Sequence, residues 1–143
     1  MSSADASQTQ RTEPESLRAR SLMASLTVND LERSAAWYRD VVLFTVADEY
    51  EHEGKRVAVH LVAGDVHVLL NQDDGAKGER VKGQGFSLTL NTVQDVDALA
   101  ARIRERGGEL LSEPADMPWG ARVFRLRDPD GFLWSISASS SGA

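Results

Sequence analysis

The side chains able to do acid–base or metal chemistry are few, and their spacing is informative. The histidines are His52, His60 and His67, and there is no cysteine. Thiol nucleophiles, disulfides and thiolate-bound zinc are therefore excluded. His60 lies in an alternating run, with Val57, Val59 and Leu61 against Ala58, His60 and Val62, which predicts a β-strand. A second run sets Val66, Val68 and Leu70 against His67 and Leu69. If Gly64-Asp65 is a two-residue hairpin turn, Ala63 pairs with Val66. His60, Val62, His67 and Leu69 then share one face. Imidazoles so placed can donate and accept hydrogen bonds or act as weak bases. Glu49, Glu51 or Glu53 would be the oxygen donors to add for a metal. No H-x-x-x-H spacing occurs, so the pair reads as pocket wall in preference to metal ligands.

A second candidate group is Trp119 in Pro118-Trp119-Gly120, with Asp116 and Arg122 beside it. Loops run over the surface, so a tryptophan there needs a neighbour or a ligand. Its indole can stack on a planar ring while Arg122 bonds the ring's edge. The other reading makes it a packing anchor at a dimer interface. Nucleophilic catalysis has no support: there is no G-x-S-x-G elbow and no Ser–His–Asp series. Gly75, Gly78, Gly83 and Gly85 lack the Lys-Ser/Thr ending of a phosphate loop and read as a flexible connection.

The elements that must position these residues repeat. Ser25-Leu26-Thr27-Val28-Asn29 returns as Ser87-Leu88-Thr89-Leu90-Asn91, and Arg56-Val57 returns as Arg122-Val123. Each copy reads strand–helix–strand–strand–strand. In the first helix, Leu31, Ala35, Tyr38 and Val42 fall on one face, with Asn29 or Asp30 as N-cap and Glu32 placed for a capping box with Asn29. In the second, Val96, Leu99, Ala100 and Ile103 do the same, and Gly107-Gly108 ends it. Arg102, Arg104 and Arg106 read as a solvated face favourable to the helix dipole. Residues 1–20 and 139–143 are polar and read as disordered tails. Residues 21–138 form the one domain, with modules at about 21–72 and 85–138.

The chain has 143 residues, 22 acidic against 16 basic, and a formal charge of -6. That field opposes phosphate backbones and anionic lipid, so neither nucleic acid nor membrane is expected as a partner. No apolar run reaches 18 residues, and no apolar stretch follows a basic start, so no membrane span or signal peptide is read and the cytoplasm is the expected location.

Two motifs carry a family resemblance. Asp30-Leu31-Glu32-Arg33-Ser34 with Trp37-Tyr38-Arg39-Asp40-Val41 and Phe44 resembles the first helix of the vicinal oxygen chelate superfamily. This is the superfamily of glyoxalases, bleomycin-resistance proteins and extradiol dioxygenases. Arg127-Asp128-Pro129-Asp130-Gly131-Phe132-Leu133-Trp134 is similar to its closing hairpin, and Pro118-Trp119-Gly120 is most similar to the bleomycin-resistance branch. The resemblance implies an α+β fold of two βαβββ modules, each sheet curling into a half-open barrel around a cavity, and commonly a homodimer. It also implies four metal-ligand positions. They fall here on Met23, Leu69, Gly85 (or Phe86, with the register moved by one) and Ser135. None is an ordinary ligand for a catalytic divalent metal.

The resulting expectation is a small-molecule binding protein without metal or other cofactor, sequestering an aromatic or heterocyclic compound, such as an antibiotic, as a homodimer. The expected ligand walls are His60, His67, Leu69, Phe86, Trp119, Arg122 and Ser135. The alternative is a glyoxalase-like lyase or isomerase, or a dioxygenase, with a non-standard active site and His60 or His67 as general base.

Overall fold

The computed structural model describes residues 16–139; of the expected tails, residues 1–15 and 140–143 lie outside that range. The first module runs β1 (Met23–Val28), α1 (Leu31–Asp40), β2 (Thr45–His52), β3 (Lys55–Ala63) and β4 (Val66–Gln72). The second runs β5 (Ser87–Asn91), α2 (Val96–Glu105), β6 (Leu110–Asp116), β7 (Ala121–Arg127) and β8 (Leu133–Ser139). The two four-stranded sheets have the same order, β1-β4-β3-β2 and β5-β8-β7-β6. In each, the first strand lies parallel to the last and the rest are antiparallel. This is the expected α+β architecture of two βαβββ modules with half-open sheets. The last strand continues through Ser139, one residue beyond the expected end of the domain.

The helices start and stop for local reasons. Asp30 caps α1 by accepting from the Arg33 backbone N–H at 3.2 Å. The Leu31 N–H, which no helical carbonyl can reach, donates to the Gln72 side chain at 2.9 Å. Glu32 does not form the expected capping box; it turns to Arg56 on β3. Asp95 caps α2 and accepts from the Asp97 and Ala98 N–H groups. At the other end of α2, Gly107 takes the left-handed φ of +92° that side chains resist. Gly108 answers to packing: a Cβ there would lie 2.8 Å from Val41 Cγ1 and 2.5 Å from Ile103 Cγ2.

Both sheets bury their helix-facing sides in one core. The first gives Leu26, Val28, Val59, Leu61, Val68 and Leu70; the second gives Phe124, Leu126, Trp134 and Ile136. The expected helix stripe of Leu31, Ala35 and Tyr38 lies between them, with Val96, Ala100 and Ile103 of α2; Val42, just past α1, is half-buried. Each fully buried aliphatic side chain contributes about 1.5–3 kcal/mol, so this shared core dominates the stability of the fold.

The modules are joined at the β7–β8 turn, Asp128-Pro129-Asp130-Gly131. The Tyr38 hydroxyl donates to Asp128 Oδ2 at 2.7 Å and accepts from Trp134 Nε1 at 2.9 Å. Asp128 Oδ1 accepts from the Asp130 and Phe132 N–H groups. Asp130 accepts from the Asn29 N–H and the Ser34 hydroxyl, and Arg33 donates to the Pro129 carbonyl. Burial raises the Asp128 carboxyl above the usual range, opposed by the hydrogen bonds from Tyr38, Phe132 and Asp130. Burial and the facing carboxylate also push the Tyr38 phenol up. The connection between modules is fixed by the Lys82–Asp73 ion pair at 2.7 Å, with both side chains largely covered, and by Gly83, where a Cβ would meet the Gly131 carbonyl at 2.9 Å.

Replacing Tyr38 by Phe keeps the ring packing but strands Asp128 Oδ2 and Trp134 Nε1. Leaving buried polar groups unpaired costs about 1–3 kcal/mol each. With two groups stranded, Tyr38→Phe is therefore expected to lower the urea-unfolding free energy by about 2–6 kcal/mol, with an unchanged slope.

Candidate functional site

With the apolar sides turned to the helices, the opposite sides of the sheets carry the polar residues. On the first sheet the register sets Ala63 against Val66, Val62 against His67 and His60 against Leu69, as the two-residue turn predicts. Neighbouring strands extend this face with Met23 beside His67, Ser25 beside Leu69, and Asp48 beside His60. His60, Val62, His67 and Leu69 are all partly covered. The Asn71 amide donates to the Ser25 hydroxyl at 2.8 Å on the same face.

The two imidazoles form a unit. His60 Nε2 and His67 Nδ1 are 3.0 Å apart, with ring centroids separated by 5.2 Å and planes within 25°. One of these nitrogens donates and the other accepts. Asp48 Oδ2 lies 3.7 Å from His60 Nδ1, too far for a hydrogen bond. The array Asp48–His60–His67 thus places hydrogen-bonding imidazole nitrogens on a half-apolar sheet face. Asp48 was not among the sequence candidates. Its register beside His60 follows from a bulge in β2 between Val46 and Asp48, which alternation alone does not reveal.

The equivalent face of the second sheet holds Ser135, and Arg125 of β7 donates to its hydroxyl through Nε at 3.2 Å. Thr89 lies beside Ser135 in the parallel register, and Ser112 opposite Arg125. The Ser112 hydroxyl is buried and, among the described residues, has no hydrogen-bond partner. Arg125 is a further polar residue that the sequence reading passed over; its place opposite Ser135 was the available signal.

The remaining sequence candidates lie elsewhere. Phe86 precedes β5, half-exposed, and its ring meets Phe132 edge-on at 6.1 Å. Trp119 is 68% exposed in the β6–β7 turn, which the Met117 N–H closes by donating to the Ala121 carbonyl. Arg122 is on the helix side of β7, not with Ser135. It donates to Asp97 at 2.7 and 3.1 Å and to Asp116 at 3.1 Å. Arg56 makes the matching set with Glu32 and Glu49. The repeated Arg-Val therefore marks one structural clamp in each module: strand arginine, first helical turn, neighbouring strand. The structure thus gathers His60, His67 and Leu69, sets Ser135 on the corresponding face of the other sheet, and places Phe86, Trp119 and Arg122 apart from them.

The family's metal positions can be tested on donor chemistry. Met23 and Leu69 share the helix-distal face of the first sheet. In the second sheet, Ser87 sits beside Leu133 as Met23 sits beside His67, so strand register puts the third position at Ser87, not Gly85 or Phe86. Met, Leu and two Ser supply no imidazole or carboxylate, and this set does not fit a catalytic divalent ion. Among the described residues, no group of three or more His, Asp or Glu is arranged to hold a metal ion, and no helix is long and apolar enough to cross a membrane.

Residues 20–136 match the Glyoxalase/Bleomycin resistance protein/Dioxygenase superfamily. The chain is 26% identical to TnmS3, an antibiotic binding protein from Streptomyces sp. CB03234. That likeness has a TM-score of 0.70 and covers 88% of this chain and 100% of the other. It is 23% identical to a Synechocystis protein named as a probable lactoylglutathione lyase, over 84% of this chain and 95% of that protein. It is also 43% identical over 44 residues to CFP32 of Mycobacterium bovis, named as a glyoxylase. That match spans 31% of this chain but only 17% of CFP32.

The clamps make an acid-sensitive prediction. Arg122 holds the Asp97 carboxyl below the usual aspartate range, chiefly through its hydrogen bonds. The unfolded chain therefore takes up this proton first as pH falls. The stabilisation is complete above the ordinary aspartate pKa of about 4 and is lost below it. Arg122→Gln is expected to lower the melting temperature at pH 7, with the gap to the parent narrowing toward pH 3 in thermal scans.

Proposed function

The chain belongs to the glyoxalase/bleomycin resistance protein/dioxygenase superfamily, and from that premise we propose that it binds an aromatic or heterocyclic small molecule, such as an antibiotic, without metal and without turnover. The observation that supports this reading is the donor set: the family resemblance, carried onto the strand register, implies metal positions at Met23, Leu69, Ser87 and Ser135, none of them an imidazole or carboxylate. The likeness to an antibiotic binding protein over nearly the whole chain supports it.

The site is the pair of helix-distal faces. His67 hydrogen-bonds a polar group of the ligand, Leu69 and Val62 give apolar contact, and Arg125 with Ser135 supplies donors from the second sheet. Affinity then comes from apolar burial oriented by a few polar groups. Within one chain the two faces are separated by the shared core and helices, so one cannot close over the other. A homodimer, with the first sheet of each protomer opposite the second sheet of its partner, completes two cavities. Trp119, exposed on its turn, then has the neighbour or stacked ligand that its surface position calls for. The binding role is assigned to the cytoplasm.

An enzymatic reading rests on one observation, the Asp48–His60–His67 array, which has the order of an oriented base. The two readings separate experimentally. Calorimetry against bleomycin, 1-hydroxyphenazine and 1,8-dihydroxyanthraquinone is expected to find at least one micromolar or tighter complex. His67→Gln and Trp119→Ala each weaken it tenfold or more, about 1.4 kcal/mol, and added Zn, Ni or Mn leaves it unchanged. Near-stoichiometric metal retention, with hemithioacetal isomerisation abolished in His67→Gln, would instead establish the enzyme.

A further inference from the structure

A cavity of about 270 Å³ lies on the opposite side of the sheets from the histidines, where the end of α1 meets α2 above β8. Its walls include Trp37, Phe44, Leu99, Ile103, Trp134 and Ile136, drawn from both modules. Trp37 and Trp134 each present an indole to it, fixed by edge-on contacts with Tyr38 at 4.9 and 6.1 Å. Leu43 also lines it and is held at a φ of +69°. A branched side chain resists that left-handed backbone. Leu43 lies in the turn that follows α1, two residues past the Val41 C-cap.

Two polar residues, both exposed to solvent on their outer side, border this largely apolar cavity. Gln94 is engaged, its amide oxygen accepting from the Thr92 hydroxyl at 3.1 Å. Arg102 is not: among the described residues its guanidinium has no hydrogen-bond or ion-pair partner. The neighbouring arginines of α2 are committed, Arg104 to Glu113 and Arg106 to the Asp40 carbonyl at 3.0 Å. Helix periodicity explains the difference. Arg102 follows Leu99 by three residues and precedes Ile103, so it borders the buried stripe, whereas Arg104 points to β6.

We propose that this cavity is a second binding site, taking a small amphipathic carboxylate: an aryl or short alkyl body between Trp37 and Trp134, its carboxylate paired with Arg102. Well-packed interiors leave few voids larger than a water molecule. A cavity of about 150 Å³ accommodates benzene, so 270 Å³ suits one ring with a short chain. A guanidinium facing a carboxylate makes two parallel hydrogen bonds, which fix the ligand's orientation at the cavity rim. Because both modules line the cavity, the ligand bridges their joint.

The test uses the full chain with phenylacetate, 4-phenylbutyrate and octanoate, and with phenylacetamide as the uncharged match. Binding is followed by calorimetry and by the three indole N–H signals in a nitrogen-15 correlation spectrum. The expected result is saturable binding of at least one carboxylate that shifts Trp37 and Trp134 but not Trp119, with the amide at least tenfold weaker. Arg102→Gln removes binding, while Arg104→Gln, which changes charge equally one turn face away, does not. Leu99→Trp, which fills the space, removes it too; should that variant misfold, Arg102→Gln still decides. No saturable carboxylate binding, equal loss in Arg104→Gln, or shifts confined to the His60–His67 face would each overturn the proposal. Those results leave the heterocycle-binding reading to its own experiment, since its residues and probes are different.

Discussion

The arrangement of this protein depends on one buried constraint, the hydrogen-bonded chain from Trp134 through Tyr38 to Asp128. A phenol, an indole N–H and a carboxylate share the interior, and each satisfies another. The network's net worth is a few kcal/mol, small beside the apolar core. Its importance is directional. Apolar packing tolerates sliding, but a phenol held at 2.7 Å from one module's carboxylate and 2.9 Å from its indole does not. The network therefore fixes how the modules dock. Docking by their helix sides sends the other faces of both sheets outward.

That consequence organises the chemistry. One outward face carries the histidine pair and Asp48, the other Arg125 and Ser135. The repeat has kept its clamps, with Arg56 and Arg122 each tying a strand to a helix's first turn, while its outward faces have diverged. One presents an imidazole pair and the other an arginine bonded to serine. In the proposed dimer, a cavity closed between two such unlike walls would orient an asymmetric ligand, which two identical walls would not do.

The same docking creates the helix-side cavity. Aromatic and aliphatic side chains of both modules leave a gap there, and Arg102, exposed at its edge, has no hydrogen-bond or ion-pair partner among the described residues. The two proposed sites would therefore use different polar groups. The sheet faces combine paired imidazoles with an arginine already bonded to serine. The helix layer offers the Arg102 guanidinium beside an apolar floor.

The fold was legible in the sequence because its signals are local and doubled. Period-2 runs and the helix stripes depend on neighbours a few residues away, and the Ser-Leu-Thr repeat shows the same local pattern twice. The His60–His67 face followed from alternation and turn length, so the hairpin register came out as read. Arg122 did not. An arginine on an alternating strand next to an exposed tryptophan reads equally as ligand wall or helix clamp, and only the position of Asp97, twenty-five residues earlier, decides. Asp48 was hidden by a bulge, and Ser87 displaced Gly85 because the two modules pair their first and last strands in different registers from those the repeat implies. The Tyr38–Asp128 bond, ninety residues apart, and the gap beside Arg102 are products of docking. Local sequence determined the modules and their faces; which face was buried against which, and so which polar groups stayed available, was decided only when the modules packed.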